Sequence, residues 1–75
     1  MGLYEVLLGI DHAARDTKRR LTVRVLADDR LAAAIVAERI GDSQVREPRV
    51  EYTHALTVRR VKPRAAVAMA LPLAA

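Results

Sequence analysis

A chain of 75 residues without cysteine has no disulfide or thiolate-bound metal to stiffen it. Apolar residues make up 52% of it, yet it has no Phe or Trp and only two Tyr, so a thin core must come from Val, Leu, Ile and Ala. Its net charge of +4 and pI near 10.3 permit binding to nucleic acid or acidic protein.

The stretch "LYEVLLGI" (3–10) is made mostly of strand formers, with Tyr4, Val6, Leu8 and Ile10 on one face and Leu3, Glu5, Leu7 and Gly9 on the other. The polar run "DHAARDTK" (11–18) reads as a loop. "RRLTVRVLA" (19–27) alternates cleanly, Leu21, Val23, Val25 and Ala27 against Arg20, Thr22 and Arg24, as a half-buried strand does. These two strands predict a hairpin.

A helix is predicted over about 29–40, within "DDRLAAAIVAERIGD". Ala-rich content favours it, Asp28 suits the N-cap, Asp29 the positive end of the dipole, and Gly41 a left-handed residue at its end. Ala33, Val36, Ala37 and Ile40 form the side best suited to a sheet. Leu31 and Ile35 then face outward, bordered by Glu38 and Arg39. After a loop closed by Pro48, residues 49–61 alternate again. Val50, Tyr52, His54, Leu56 and Val58 form an inward row; Arg49, Glu51, Thr53, Thr57 and Arg59 form an outward one. "VKPR" suits a tight turn at Pro63. In "AAVAMAL" (65–71) large and small residues alternate as in a strand, although alanine itself favours helix.

The expected fold is therefore one α+β domain over 1–75, ββαββ, with a four-stranded mixed sheet and the helix on one face. Setting the two nearly uncharged strands, 3–10 and 65–71, in the centre gives the order 2-1-4-3. In element order and length this layout resembles the β-grasp folds, ubiquitin and the immunoglobulin-binding domains among them. No motif accompanies the resemblance, so it implies no activity. An incomplete ferredoxin-like sheet is the alternative.

Catalytic, cofactor and metal signatures are lacking. His12 and His54 are the only imidazoles and show no paired-ligand spacing. Capping accounts for Asp28 and Asp29, Ser43 has no nucleophile-elbow context, and Gly2, Gly9 and Gly41 form no phosphate loop. His54 is expected as a packed imidazole near a sheet edge with one nitrogen bonded. No enzyme activity, cofactor or metal is expected.

The cations are nearly all arginine. Codon bias in a GC-rich genome and selected anion binding explain that equally well. Arg15, Lys18, Arg19 and Arg20 bracket the first hairpin turn, and Arg59, Arg60, Lys62 and Arg64 the second. Arg20, Arg24, Arg49 and Arg59 are assigned to the helix-free face. These clusters make Arg20, Arg24, Arg49, Arg59, Arg60, Lys62 and Arg64 the nucleic-acid candidates. Interspersed acids and an inward Tyr52 count against that reading.

The apolar surfaces give the preferred reading. Leu31 and Ile35 on the helix, and Leu3 and Leu7 on the helix-free face, are the interface candidates. They point to a small, non-enzymatic protein–protein interaction or assembly protein working as a homodimer, with a host or assembly protein as a further partner. A basic nucleic-acid-binding accessory protein is the alternative. The Arg- and Ala-rich style is that of phage and mobile-element proteins of GC-rich bacteria. "MGLYEVLLGI" has no basic n-region, and "AAVAMALPLAA" falls short of the roughly 20 apolar residues of a membrane span, so a cytoplasmic protein and no membrane partner are expected.

Overall fold

The computed structural model describes residues 1–62, in the order β1 (Gly2–His12), β2 (Arg19–Ala27), α1 (Arg30–Asp42) and β3 (Glu51–Val61). The three strands form an antiparallel sheet in the order β2-β1-β3, and α1 packs on one face of it. The expected α+β class stands. The expected position of β3 does not: β3 lies directly against β1, with no strand between them, and the pairing is antiparallel throughout. Residues 63–75, including Pro63, Arg64 and the strand expected over 65–71, lie outside the described residues.

The corrected order gives the polar residues of β1 partners on β3. Glu5 and Asp11 lie on the helix-free face of the sheet, and β3 brings Arg59 to Glu5 and a hydrogen-bonding His54 to Asp11. An alanine-rich strand could supply neither. The rule that charged strands sit at edges still holds for β2 and β3 among the described residues.

On the helix side, Tyr4, Val6 and Leu8 of β1 join Val23, Val25 and Ala27 of β2 and Ala33 and Ala37 of α1 in one buried cluster. Val6, Leu8 and Val25 are its largest fully buried side chains. The alternation read for β1 and β2 is therefore correct.

In β3 it is correct only past Leu56. Thr57 pairs with Leu7 and Ala55 with Leu8, so Leu56 is an extra residue, a β-bulge that shifts the alternation by one. Before it, Glu51, Thr53 and Ala55 face the core, while Tyr52 and His54 face away. Beyond it, Val58 packs against the core cluster and Arg59 faces away. The inward row expected for Val50, Tyr52, His54 and Leu56 is thus overturned. β3 also begins at Glu51, because Val50 closes a turn with its N–H on the Glu47 carbonyl, 3.0 Å away.

The N-cap of α1 is Asp29, not Asp28: its carboxylate accepts from the Ala32 N–H at 2.8 Å. The helix runs past Gly41 to Asp42 and is capped at Ser43 in ordinary right-handed geometry, so Gly41 is not the left-handed terminator. Its role is close packing. A Cβ at Gly41 would lie 2.6 Å from Leu8 Cδ1 and 2.8 Å from Thr53 Oγ1. Glycine is required here by the approach of helix to sheet, not by its φ.

Candidate interaction surfaces

The outer face of α1 is one surface. Ala33, Ala37 and Gly41 are buried against the sheet, and Val36 and Ile40 pack beside them. Leu31, 71% exposed, and Ile35, 43% exposed, lie one turn apart on the opposite side. Exposed Asp28 and Asp29 precede them, and exposed Arg39 follows one turn later. Glu38, expected at this border, instead turns toward the sheet and accepts the Ala55 N–H at 2.8 Å.

The helix-free face of the sheet is the second. Its central row runs Leu3, Glu5, Leu7, Gly9, Asp11. Register places Leu26, Arg24, Thr22 and Arg20 beside it on β2, and Val61, Arg59, Thr57, His54 and Tyr52 on β3. Leu3 is buried and Leu7 half-buried, so the patch expected there offers little open area. Glu5 bridges the outer strands. It accepts Arg24 Nε at 3.0 Å and Arg59 Nη2 at 2.7 Å. Hydrogen bonding from Arg59 first, then Arg24, holds the Glu5 carboxyl below its ordinary range. Two guanidiniums on one carboxylate leave one positive charge over.

At the other end of this face the His54 ring lies over Gly9, where a Cβ would come within 2.7 Å of its Cε1. Its Nδ1 bonds Asp11. The packed, inward imidazole expected here is overturned: His54 is exposed on the open side of the sheet, although one ring nitrogen is hydrogen-bonded. Tyr52, expected inward, is 53% exposed on this face. The bulge at Leu56 is what moves both rings there.

Of the other basic candidates, Arg49 lies in the exposed turn before β3, not on the sheet face. Arg60 is on the helix-side row, its guanidinium folded against Gly2, and Lys62 is exposed just past β3. In the first cluster, Arg15 pairs with Glu47 at 3.0 Å and Arg19 with buried Glu51. Those two cations serve the fold.

Sequence reasoning missed a polar belt around the first half of β3. Glu51 is buried on the core side. Its Oε1 accepts the N–H groups of Arg46 and Glu47, each at 3.0 Å, and its Oε2 meets the Arg19 guanidinium. Asp42 accepts the Thr53 N–H at 2.7 Å and its hydroxyl at 2.8 Å, and Glu38 takes the Ala55 N–H. Carboxylates four residues apart on α1 thereby occupy edge donors of β3 that another strand could otherwise use. Their spacing, next to Ala37 and Gly41, was the available signal. His12, expected in a polar loop, ends β1 with its ring largely buried. The Ala14 N–H donates to its Nδ1 at 3.0 Å, which leaves the proton on Nε2, facing Glu47 at 3.4 Å.

Among the described residues no group of His, Asp or Glu is arranged to hold a metal ion, and no helix is long and apolar enough to cross a membrane. No protein-family model matches the chain, and neither a curated protein nor a solved structure is significantly similar to it.

Proposed function

We propose that this protein is a small non-enzymatic interaction module that works as a homodimer through the outer face of α1. The observation that carries the reading is the exposure of Leu31 and Ile35, two large aliphatics one turn apart on the side of the helix away from the sheet. Ala34, small and half-buried, lies beside them, so a second helix backbone can come close.

A second copy suits the charges. In an antiparallel helix pair about a two-fold axis, Leu31 of one copy meets Ile35 of the other, and Arg39 of each comes to the Asp28–Asp29 end of its neighbour. Cation and acid then alternate around an aliphatic centre, and both helix dipoles are opposed. The assembled dimer would present two copies of the open sheet face on its outer sides. Light scattering at tens of micromolar should give twice the monomer mass. Ile35→Glu should give a monomer with an unchanged circular dichroism spectrum, because Ile35 takes no part in the buried cluster. A monomeric wild type, or a dimeric Ile35→Glu variant, overturns the reading.

A further inference from the structure

The rims of the helix-free face differ from its floor in a way that dimerisation through α1 leaves unused. Both acids of the face, Glu5 and Asp11, lie on the central strand. The β2 rim carries Arg20, Thr22 and Arg24. The β3 rim carries Tyr52, His54, Thr57 and Arg59. Among the described residues, neither rim has an acidic side chain on this face.

We infer that this face binds a single-stranded polynucleotide laid along the sheet. Three kinds of group converge on that chemistry. Arg24 and Arg59 face each other across Glu5, which fixes both guanidiniums while each keeps further N–H donors for a phosphate. The exposed hydroxyls of Thr22 and Thr57 flank Leu7 one row away and suit phosphate or sugar oxygens. Tyr52 and His54, two residues apart on β3, place two rings on the same face, roughly 7 Å apart along the strand. Exposed rings at that spacing are platforms for consecutive unstacked bases. Gly9 adds the depth: with no Cβ it lets the His54 ring lie down on the sheet.

The flat face argues for a single strand over a duplex. Nothing projects from it to enter a groove, and paired bases do not offer their rings to Tyr52. An acidic protein segment would satisfy the arginines but give the rings no role, and so is the competing occupant.

The test is titration of the full-length protein against fluorescently labelled 12-mers of deoxythymidine and of uridine. A duplex of equal length, polyphosphate and poly-glutamate serve as comparisons. Binding to the oligonucleotides should weaken steeply with salt, and the duplex and both baseless polyanions should compete at least tenfold less well. Tyr52→Ala should weaken oligonucleotide binding by about tenfold or more, the range of one lost stack. Arg24→Gln with Arg59→Gln should lower the salt slope by about 1.4, the loss of two phosphate contacts to a single strand. All three side chains are partly or largely exposed, and unchanged circular dichroism confirms that the variants fold. A preference between the deoxythymidine and uridine strands identifies the source of the ligand and supports the inference either way. No binding at low salt, equal competition by poly-glutamate or polyphosphate, or full affinity in Tyr52→Ala overturns it. Repeating the titration with Ile35→Glu keeps this result independent of dimerisation, since that residue lies on the other side of the molecule.

Discussion

The two halves of β3, on either side of Leu56, are held in place by different physics. Before the bulge the inward positions are Glu51, Thr53 and Ala55, and their support is polar: Glu38 and Asp42 of α1 and Arg46 and Glu47 of the following turn are tied to them by carboxylate and hydroxyl bonds. Beyond it the inward Val58 packs on the core cluster, and the outward Arg59 joins a solvent-facing ladder with Glu5 and Arg24. A buried polar contact fixes one geometry, since an unpaired group inside is costly. An exposed ion pair fixes little, because water replaces it at small cost. The first half should therefore dominate stability although it has the less hydrophobic sequence.

Replacing Glu51 tests that contrast most severely. Glu51→Ala strands the Arg19 guanidinium and removes the acceptor for two backbone N–H groups. Breaking a buried pair costs about 3–5 kcal/mol, and the partial exposure of Arg19 places the expected loss near the lower end. Urea unfolding should show it; a loss under about 1 kcal/mol would mean that the polar half is not the anchor.

Gly41→Ala probes the same half from the helix. The added methyl would collide with Leu8 and Thr53, neither free to withdraw: Leu8 is fully buried and Thr53 is held by Asp42 and the Glu38 carbonyl. Overpacking costs about 1–3 kcal/mol, of which improved helix propensity returns up to about 1. A net destabilisation of roughly 1–2 kcal/mol is expected in the same unfolding experiment, whereas an unchanged or raised stability would show that helix and sheet do not close on Gly41.

Arg59→Gln addresses the second half and should be the mildest change. Its direct effect on stability at neutral pH should be small, as for exposed pairs generally. The sharper readout is the Glu5 carboxyl. Its pKa is depressed in the folded state, so the pair's contribution is present above about pH 4.5, the ordinary value, and is lost as pH falls through the lower folded value. Arg59→Gln should raise the Glu5 pKa measured by NMR, and by more than Arg24→Gln does, since Arg59 is the larger influence. Equal shifts would show the ladder to be symmetric.

Where the sequence was legible, the pattern was continuous. β1, β2 and the inner side of α1 each keep one period from end to end, and Tyr4, Val6, Leu8, Val23, Val25, Ala33 and Ala37 are buried as that period requires. The exposed positions of Leu31 and Ile35 follow from the same reading. β3 was misread because a single-residue bulge leaves no mark on composition. Val50, Tyr52, Leu56 and Val58 form a good apolar row on paper, and Glu51 looks like surface until Arg19 and two loop amides are brought to it. The sheet order failed for a related reason: apolar content predicts burial but carries no information about which charged strand complements Glu5 and Asp11. Tyr52 and His54 were therefore assigned to the wrong side, and with them the aromatic half of the open face.

The bulge also changes where this chain tolerates a change of length. Loops are ordinarily the places where a residue can be gained or lost. Here Thr57 and Ala55 already face consecutive residues of β1, Leu7 and Leu8. Deleting Leu56 would close the gap between them and leave an unbroken ladder in which Glu51, Thr53, Val58 and Arg59 all keep their present sides. The middle of this strand, the last place one would cut a sheet, is a site from which a residue can be removed without moving any other to the opposite face.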